Sequence, residues 1–122
     1  MSEILVIDDD ELHLMLMHNL LESEGYTVLS TADGPQGIAV YKEHRPMLVL
    51  LDQGLPSVSG LEVLKEIRKF DDAAKVIVLT GYGGAESVSL AMRYGACGYV
   101  EKSVPIKVLL EKIKSALGPD AV

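Results

Sequence analysis

Short apolar runs alternate with amphipathic stretches five times along this chain. Residues 3–7 (EILVI), 26–30 (YTVLS), 47–52 (MLVLLD), 75–79 (KVIVL) and 97–100 (CGYV) are rich in β-favouring residues and bounded by turn residues. The third run is almost wholly apolar up to Asp52, the pattern of a strand buried on both faces. Between the runs, the spacing predicts helices over 11–24, from Asp33 to about Glu43, over 60–70 and over 84–94, and a last one carrying Ile106, Leu109, Leu110, Ile113 and Leu117. The first helix has a broad stripe of Leu12, Met15, Leu16, Met17, Leu20 and Leu21; the fourth has only Val88 and Met92, diluted by Ser87 and Ser89. Asp33 with Gln36, and Ser59 with Glu62, have capping-box spacing. Gly25, Gly95 and Gly118-Pro119 are helix stops. Strand followed by helix, with right-handed crossovers, gives an α/β fold: a doubly wound, five-stranded parallel sheet with helices on both faces. Residues 1–118 make one domain, and 119–122 a tail or the start of a linker.

In such a sheet, chemistry gathers at the carboxyl ends of the strands. Those ends carry Asp8 and Asp9, then Ser30 or Thr31, then Asp52, Thr80 and Lys102. Each has an ordinary reading when taken alone: a solvated helix start, a strand-end hydroxyl, a surface lysine. Their succession on adjacent strands is what carries weight. Carboxylates crowded together repel and raise one another's pKa, a cost that a hard divalent cation with oxygen ligands offsets, Mg²⁺ fitting best. Thr80 and Lys102 are then donors with no acid of their own, suited to an anion with several acceptor oxygens. The composite is a site for moving phosphate, with the solitary, central Asp52 as nucleophile and Thr80 and Lys102 gripping the phosphoryl oxygens.

Charge narrows the classes further. The net charge is −7 over 122 residues. Residues 1–61 hold ten acids against two bases (−8), and residues 62–122 eight against nine (+1). An acidic domain is a poor binder of nucleic acid phosphates, so a cation and a protein partner are the expected ligands. No apolar run approaches the roughly 18 residues of a membrane span, and the start, MSEILVIDDD, lacks a basic signal-peptide region, so the cytoplasm is the expected compartment. Cys97 alone allows neither an internal disulfide nor a multi-thiolate zinc site, and reads as a small buried strand residue. His13, His18 and His44 read as surface residues, since His13 and His18 are five apart and do not share a helix face.

IDDDE after the first strand, LLDQGLP with Gly60 eight residues past the acid, VLTG on the fourth strand and YVEKS on the fifth resemble the receiver domain of two-component response regulators, from Ile4 to Leu117. The resemblance implies a flavodoxin-like fold with strand order 2-1-3-4-5. It also implies that Asp52 accepts phosphate from the phosphohistidine of a sensor histidine kinase or histidine phosphotransfer protein. Mg²⁺ would be bound by Asp9, Asp52 and the backbone carbonyl of Gly54, with Asp8 assisting through water. Thr80 and Lys102 match the family's switch hydroxyl and lysine, and Tyr99 the aromatic whose rotation follows Thr80; by residue type alone, Tyr99 is a half-buried strand tyrosine. Two departures stand out. Ser103 follows Lys102 where such chains usually have a cis proline, leaving that bond cis under strain or trans. Gly81 replaces the commoner Ala after the switch threonine.

The leading expectation is a phosphorylation switch, not an enzyme beyond its own phosphorylation and dephosphorylation. Its output and homodimer surface is the fourth helix, fifth strand and fifth helix, carrying Arg93, Tyr94, Lys107 and Lys112. Neither membrane nor direct nucleic-acid binding is expected. A Mg²⁺-dependent phosphatase would need a second acid just after the nucleophile, where Gln53 and Gly54 stand; an unphosphorylated interaction module would have lost an acid, the hydroxyl or the lysine. Gly54 leaves the acceptor uncovered, while Gly81 and Tyr82 border the entrance. Tyr82→Ala is therefore predicted to change the dephosphorylation rate of Asp52, and an unchanged rate in a phosphate-release assay removes Tyr82 from that role.

Overall fold

The computed structural model describes residues 3–55, 58–81 and 85–118. Five strands, β1 (Glu3–Ile7), β2 (Thr27–Thr31), β3 (Leu48–Asp52), β4 (Val76–Thr80) and β5 (Gly98–Glu101), alternate with helices α1 (Glu11–Ser23), α2 (Gly34–His44), α3 (Gly60–Phe70), α4 (Ala85–Arg93) and α5 (Ile106–Leu117). All strand pairs are parallel, and the sheet order is β2-β1-β3-β4-β5, as the resemblance implied.

The two-residue period of the strands divides the core in two. Leu5, Ile7, Val49, Leu51, Val76 and Val78 face α2, α3 and α4, where Tyr41, Val63, Leu64, Ile67 and Ala91 close the layer. Ile4, Val6, Leu48, Leu50, Ile77, Leu79 and Val100 face α1 and α5, meeting Met17, Leu21, Leu109, Ile113 and Leu117. β3 and β4 are buried along their whole length, which is why they read as continuous apolar runs.

Of the two predicted cap residues, Asp33 and Ser59, one caps its helix. Asp10 caps α1, accepting from the amides of Leu12 (3.1 Å) and His13 (3.3 Å). Ser59 caps α3 through the Glu62 amide at 3.3 Å. Asp33 is the extended N-cap of α2, yet its side chain makes no cap bond, so the Asp33–Gln36 box does not form. Gly25 takes a left-handed φ of +93° after α1, as a helix stop requires.

Other expectations are corrected. Of the α1 stripe only Met17 and Leu21 are buried; Leu12, Met15 and Leu16 are exposed, because a helix lying on one face of a sheet has a single inward strip to fill. In α4, Val88 and Met92 are exposed and Ala91 takes the inward position, a small anchor for a whole helix. Cys97 is exposed and precedes β5, its amide donating to the Val76 carbonyl at the strand entrance. Arg93 and Tyr94 line a cleft against Glu62, Lys65 and Lys69 of α3, with the Lys65 ammonium 5.1 Å from the Tyr94 ring centre, so they turn from the α4–β5–α5 face. Lys107 and Lys112 remain exposed on α5. Tyr82, Pro56 and the 119–122 tail lie outside the described residues.

Where β3 passes into α3, the backbone comes back on itself. The Gly60 amide donates to the Gln53 carbonyl at 3.1 Å, and a Cβ on Gly60 would run into the Asp52 carbonyl oxygen and Gln53 Cα. These are backbone atoms, with no flexible end to move aside. Gly60→Ala is expected to destabilise the domain by roughly 1–3 kcal/mol, the scale of overpacking at a tight site; chemical unfolding measures it, and wild-type stability would refute the close approach.

Candidate functional site

Strand alternation also sorts the residues at the carboxyl edge. Asp52 continues the Leu48–Leu50 row, and Lys102 follows Val100, both rows facing α1 and α5. Asp8, just past β1, meets them there. Its Oδ2 lies 3.0 Å from Lys102 Nζ, and the same ammonium lies 3.4 Å from Asp52 Oδ2. Thr80 instead continues the Val76–Val78 row toward α3 and α4, and Tyr99 packs on that same layer. Thr80 joins the site through its backbone, its carbonyl accepting from the Lys102 amide at 2.7 Å.

Asp8 and Asp52 are almost fully buried, at 1 % and 6 % exposure, whereas Asp9 is exposed. Oxygens of the three carboxylates lie within 4.8 Å of one another. Lys102 is therefore not a donor without an acid, as its sequence position implied; it serves two, and that is how the acids tolerate each other. Asp52 is further held by the Gly54 amide on Oδ1 at 3.1 Å. A Cβ at position 54 would stand 3.8 Å from that oxygen, so glycine keeps the carboxylate uncovered. The Lys102–Ser103 peptide is trans, since among the described residues no cis bond occurs.

Two residues that the sequence did not single out join the site. His13 Nδ1 lies 2.5 Å from Asp8 Oδ2, with the ring only 20 % exposed, which corrects its reading as a surface residue. The third residue of a helix that starts beside a strand end can fold back over that end, and this geometry was the available signal. His18 pairs with Glu22 along α1 at 3.1 Å, and His44 is exposed at the end of α2. Gln53 accepts a 2.6 Å hydrogen bond from the Tyr99 hydroxyl through its Oε1, tying the residue after Asp52 to β5 across β4.

Burial pushes the Asp52 carboxyl up, the Gly54 amide opposes it, and the Asp8 charge adds to the rise. Burial acts upward on Asp8 too, but the His13 bond, the Asp10 amide and Lys102 override it and hold that carboxyl down to about 2. Desolvation works against the Lys102 charge, and the two carboxylates more than restore it, so its pKa is raised. The two acids thus have opposite effects on stability. The depressed Asp8 stabilises the fold above the ordinary value of 3.8, and this is lost as the pH falls toward about 2. The raised Asp52 favours the protonated folded state and costs stability as the pH rises through its pKa. Asp52→Asn should raise Tm at neutral pH. The gain should shrink as the pH falls into the carboxylate range. Thermal unfolding against pH reads both, and a variant less stable than wild type at neutral pH contradicts the assignment.

Residues 4–114 match the response regulator receiver domain family. The chain is 36 % identical over 123 residues to the polar-differentiation response regulator DivK of Brucella anthropi, covering 96 % of this chain and 97 % of that one. It superposes on the CheY-like response regulator receiver domain protein from Methanospirillum hungatei JF-1 with a TM-score of 0.92 at 36 % identity, over 96 % and 94 % of the two chains. A chain of the CheX-CheY-BeF3-Mg+2 complex from Borrelia burgdorferi gives a TM-score of 0.91 at 27 % identity, over 96 % and 90 %. In family, strand order and the acids and lysine gathered at one sheet edge, this chain belongs to the response regulator receiver domains.

Proposed function

We propose that this domain takes a phosphoryl group onto Asp52 from the phosphohistidine of a sensor histidine kinase or histidine phosphotransfer protein, in a Mg²⁺-dependent reaction, and that the acyl phosphate switches its surface. The observation that carries the reading is the ammonium of Lys102 shared between Asp8 and Asp52. A mobile cation already seated on the acceptor is placed to follow the charge when phosphate arrives. The donor set suits a hard divalent ion, being carboxylate oxygens of Asp8, Asp9 and Asp52. Asp9 and Asp52 would hold Mg²⁺ with the Gly54 carbonyl, Asp8 assisting through water, and the ion would neutralise charge on the phosphoryl oxygens. The Borrelia burgdorferi complex, a CheY with BeF3 and Mg+2, is in keeping with this reading.

The chain's own groups do the rest. The Gly54 amide fixes the Asp52 carboxylate through Oδ1. An Asp52 oxygen forms the O–P bond as the donor's N–P bond breaks, the electron pair returning to the donor imidazole. Lys102 moves from the carboxylates to the phosphoryl oxygens, and the Thr80 hydroxyl closes on them from the α4 side. Tyr99 follows Thr80, and α4, anchored inward by Ala91, is the helix least costly to shift. The surface of α4, β5 and α5 then changes for a partner or a second copy.

The donor needs a seat beside the acceptor. Leu16, Met17 and Leu20 on α1 and Ile106 and Leu109 on α5 line a groove of about 390 Å³ that reaches His13 and Lys102, and exposed Leu12 and Met15 lie on the same helix. An apolar surface next to the acids suits a donor protein, and the reading sets both partners in the cytoplasm. The domain turns over no separate substrate, since Asp52 is itself the acceptor.

Incubation with Mg²⁺ and acetyl phosphate, followed by intact mass spectrometry, tests this. One phosphoryl adduct is expected, absent in Asp52→Asn and after chelation, and formed more slowly in Lys102→Ala on the order of a hundredfold, as for loss of an oxyanion donor. No adduct, or one that survives Asp52→Asn, overturns the assignment.

A further inference from the structure

The three acids of the cluster are unequally available. Asp8 Oδ1 accepts the Asp10 amide at 3.0 Å, and its Oδ2 faces two donors, His13 Nδ1 at 2.5 Å and Lys102 Nζ at 3.0 Å. A carboxylate oxygen offers two lone pairs, so Oδ2 is saturated. On Asp52, Gly54 donates to Oδ1 and Lys102 lies 3.4 Å from Oδ2. Asp9 is exposed. Among the described residues, Asp8 has three donors close about it, and His13 is one of the two on Oδ2.

The histidine is well held for this. Its amide is bound by the Asp10 cap at 3.3 Å, at the third position of α1, and its ring is four-fifths covered, at 20 % exposure. An ionised carboxylate only accepts, so Nδ1 carries the shared proton. Charge-assisted bonds of this kind are stronger than neutral ones. The two donors on Oδ2 also have different futures. Lys102 leaves for the phosphoryl group in the reaction proposed above, whereas His13, tied to α1, stays.

We propose that His13 is a positioning residue that competes with the divalent cation for Asp8, so that the site binds Mg²⁺ less tightly than its three carboxylates would alone. The inference rests on the metal-dependent reading of the site. Two features agree with it: the ring donor lies on the buried acid rather than on exposed Asp9, and the His13 bond leads the forces that hold the Asp8 carboxyl low. A cation that draws on Asp8 must first loosen this bond or share its oxygen.

Isothermal titration calorimetry of the unphosphorylated domain with Mg²⁺ tests it without any transfer reaction. His13→Phe keeps a ring and drops the donor; its Mg²⁺ affinity is expected to rise about tenfold, the scale of one hydrogen bond to a charged group. His13→Asn restores a short N–H donor and is expected to return affinity toward wild type, a rescue that a merely structural role for the ring would not produce. Circular dichroism in metal-free buffer establishes that both variants are folded. Unchanged or weaker binding by folded His13→Phe overturns the competition while leaving the metal reading intact. Absence of Mg²⁺ binding by the wild-type domain overturns both.

Discussion

Two carboxylates buried side by side and one ammonium shared between them set the terms for this fold. Asp8 and Asp52 are almost out of water, and the charge of Asp8 adds to the penalty on that of Asp52. An uncompensated pair of this kind would cost several kcal/mol. Lys102 compensates both at once, from a turn whose amide is pinned to the end of β4. The sheet order β2-β1-β3-β4-β5 makes this arrangement possible. β1 and β3 are neighbours, which brings the acids together, and the lysine after β5 reaches across β4 to both.

Much of this was legible in the sequence because the pattern is unambiguous where strands are buried on both faces. LVLLD and VIVLT admit one reading, and the acids, hydroxyl and lysine at their ends then fall on one edge. The errors share a physical cause. Apolar residues on a helix do not declare which of them face inward, so the α1 stripe was read too wide and the exposed Leu12, Met15 and Leu16 were hidden within it. Cys97 sits one residue before β5 begins, and a shift of a single position was enough to turn it outward.

His13 and Gln53 were illegible for another reason. Each makes its contact with a residue that the sequence pattern had singled out, His13 with Asp8 and Gln53 with Tyr99. Spacing along a chain finds groups that share an element, but not a side chain that folds back from a helix to the strand end before it. The Tyr94 reading failed in the same way: its position after α4 placed it near the expected output face, while its ring turned to Lys65 on α3.

The two-residue period of the strands has a consequence for how such a domain can be wired. Asp8, Asp52, Lys102 and His13 gather on the α1 and α5 side of the sheet, and Thr80 and Tyr99 lie on the side of α3 and α4. The sheet is thus a partition, with the acids and their lysine on one side and Thr80 and Tyr99 on the other. Gln53, next to Asp52 in the chain but on the other face, is joined by its backbone to β4 and by its side chain to Tyr99. A protein built this way can exchange side chains on one face without repacking the other, because the two sets alternate along the same strands.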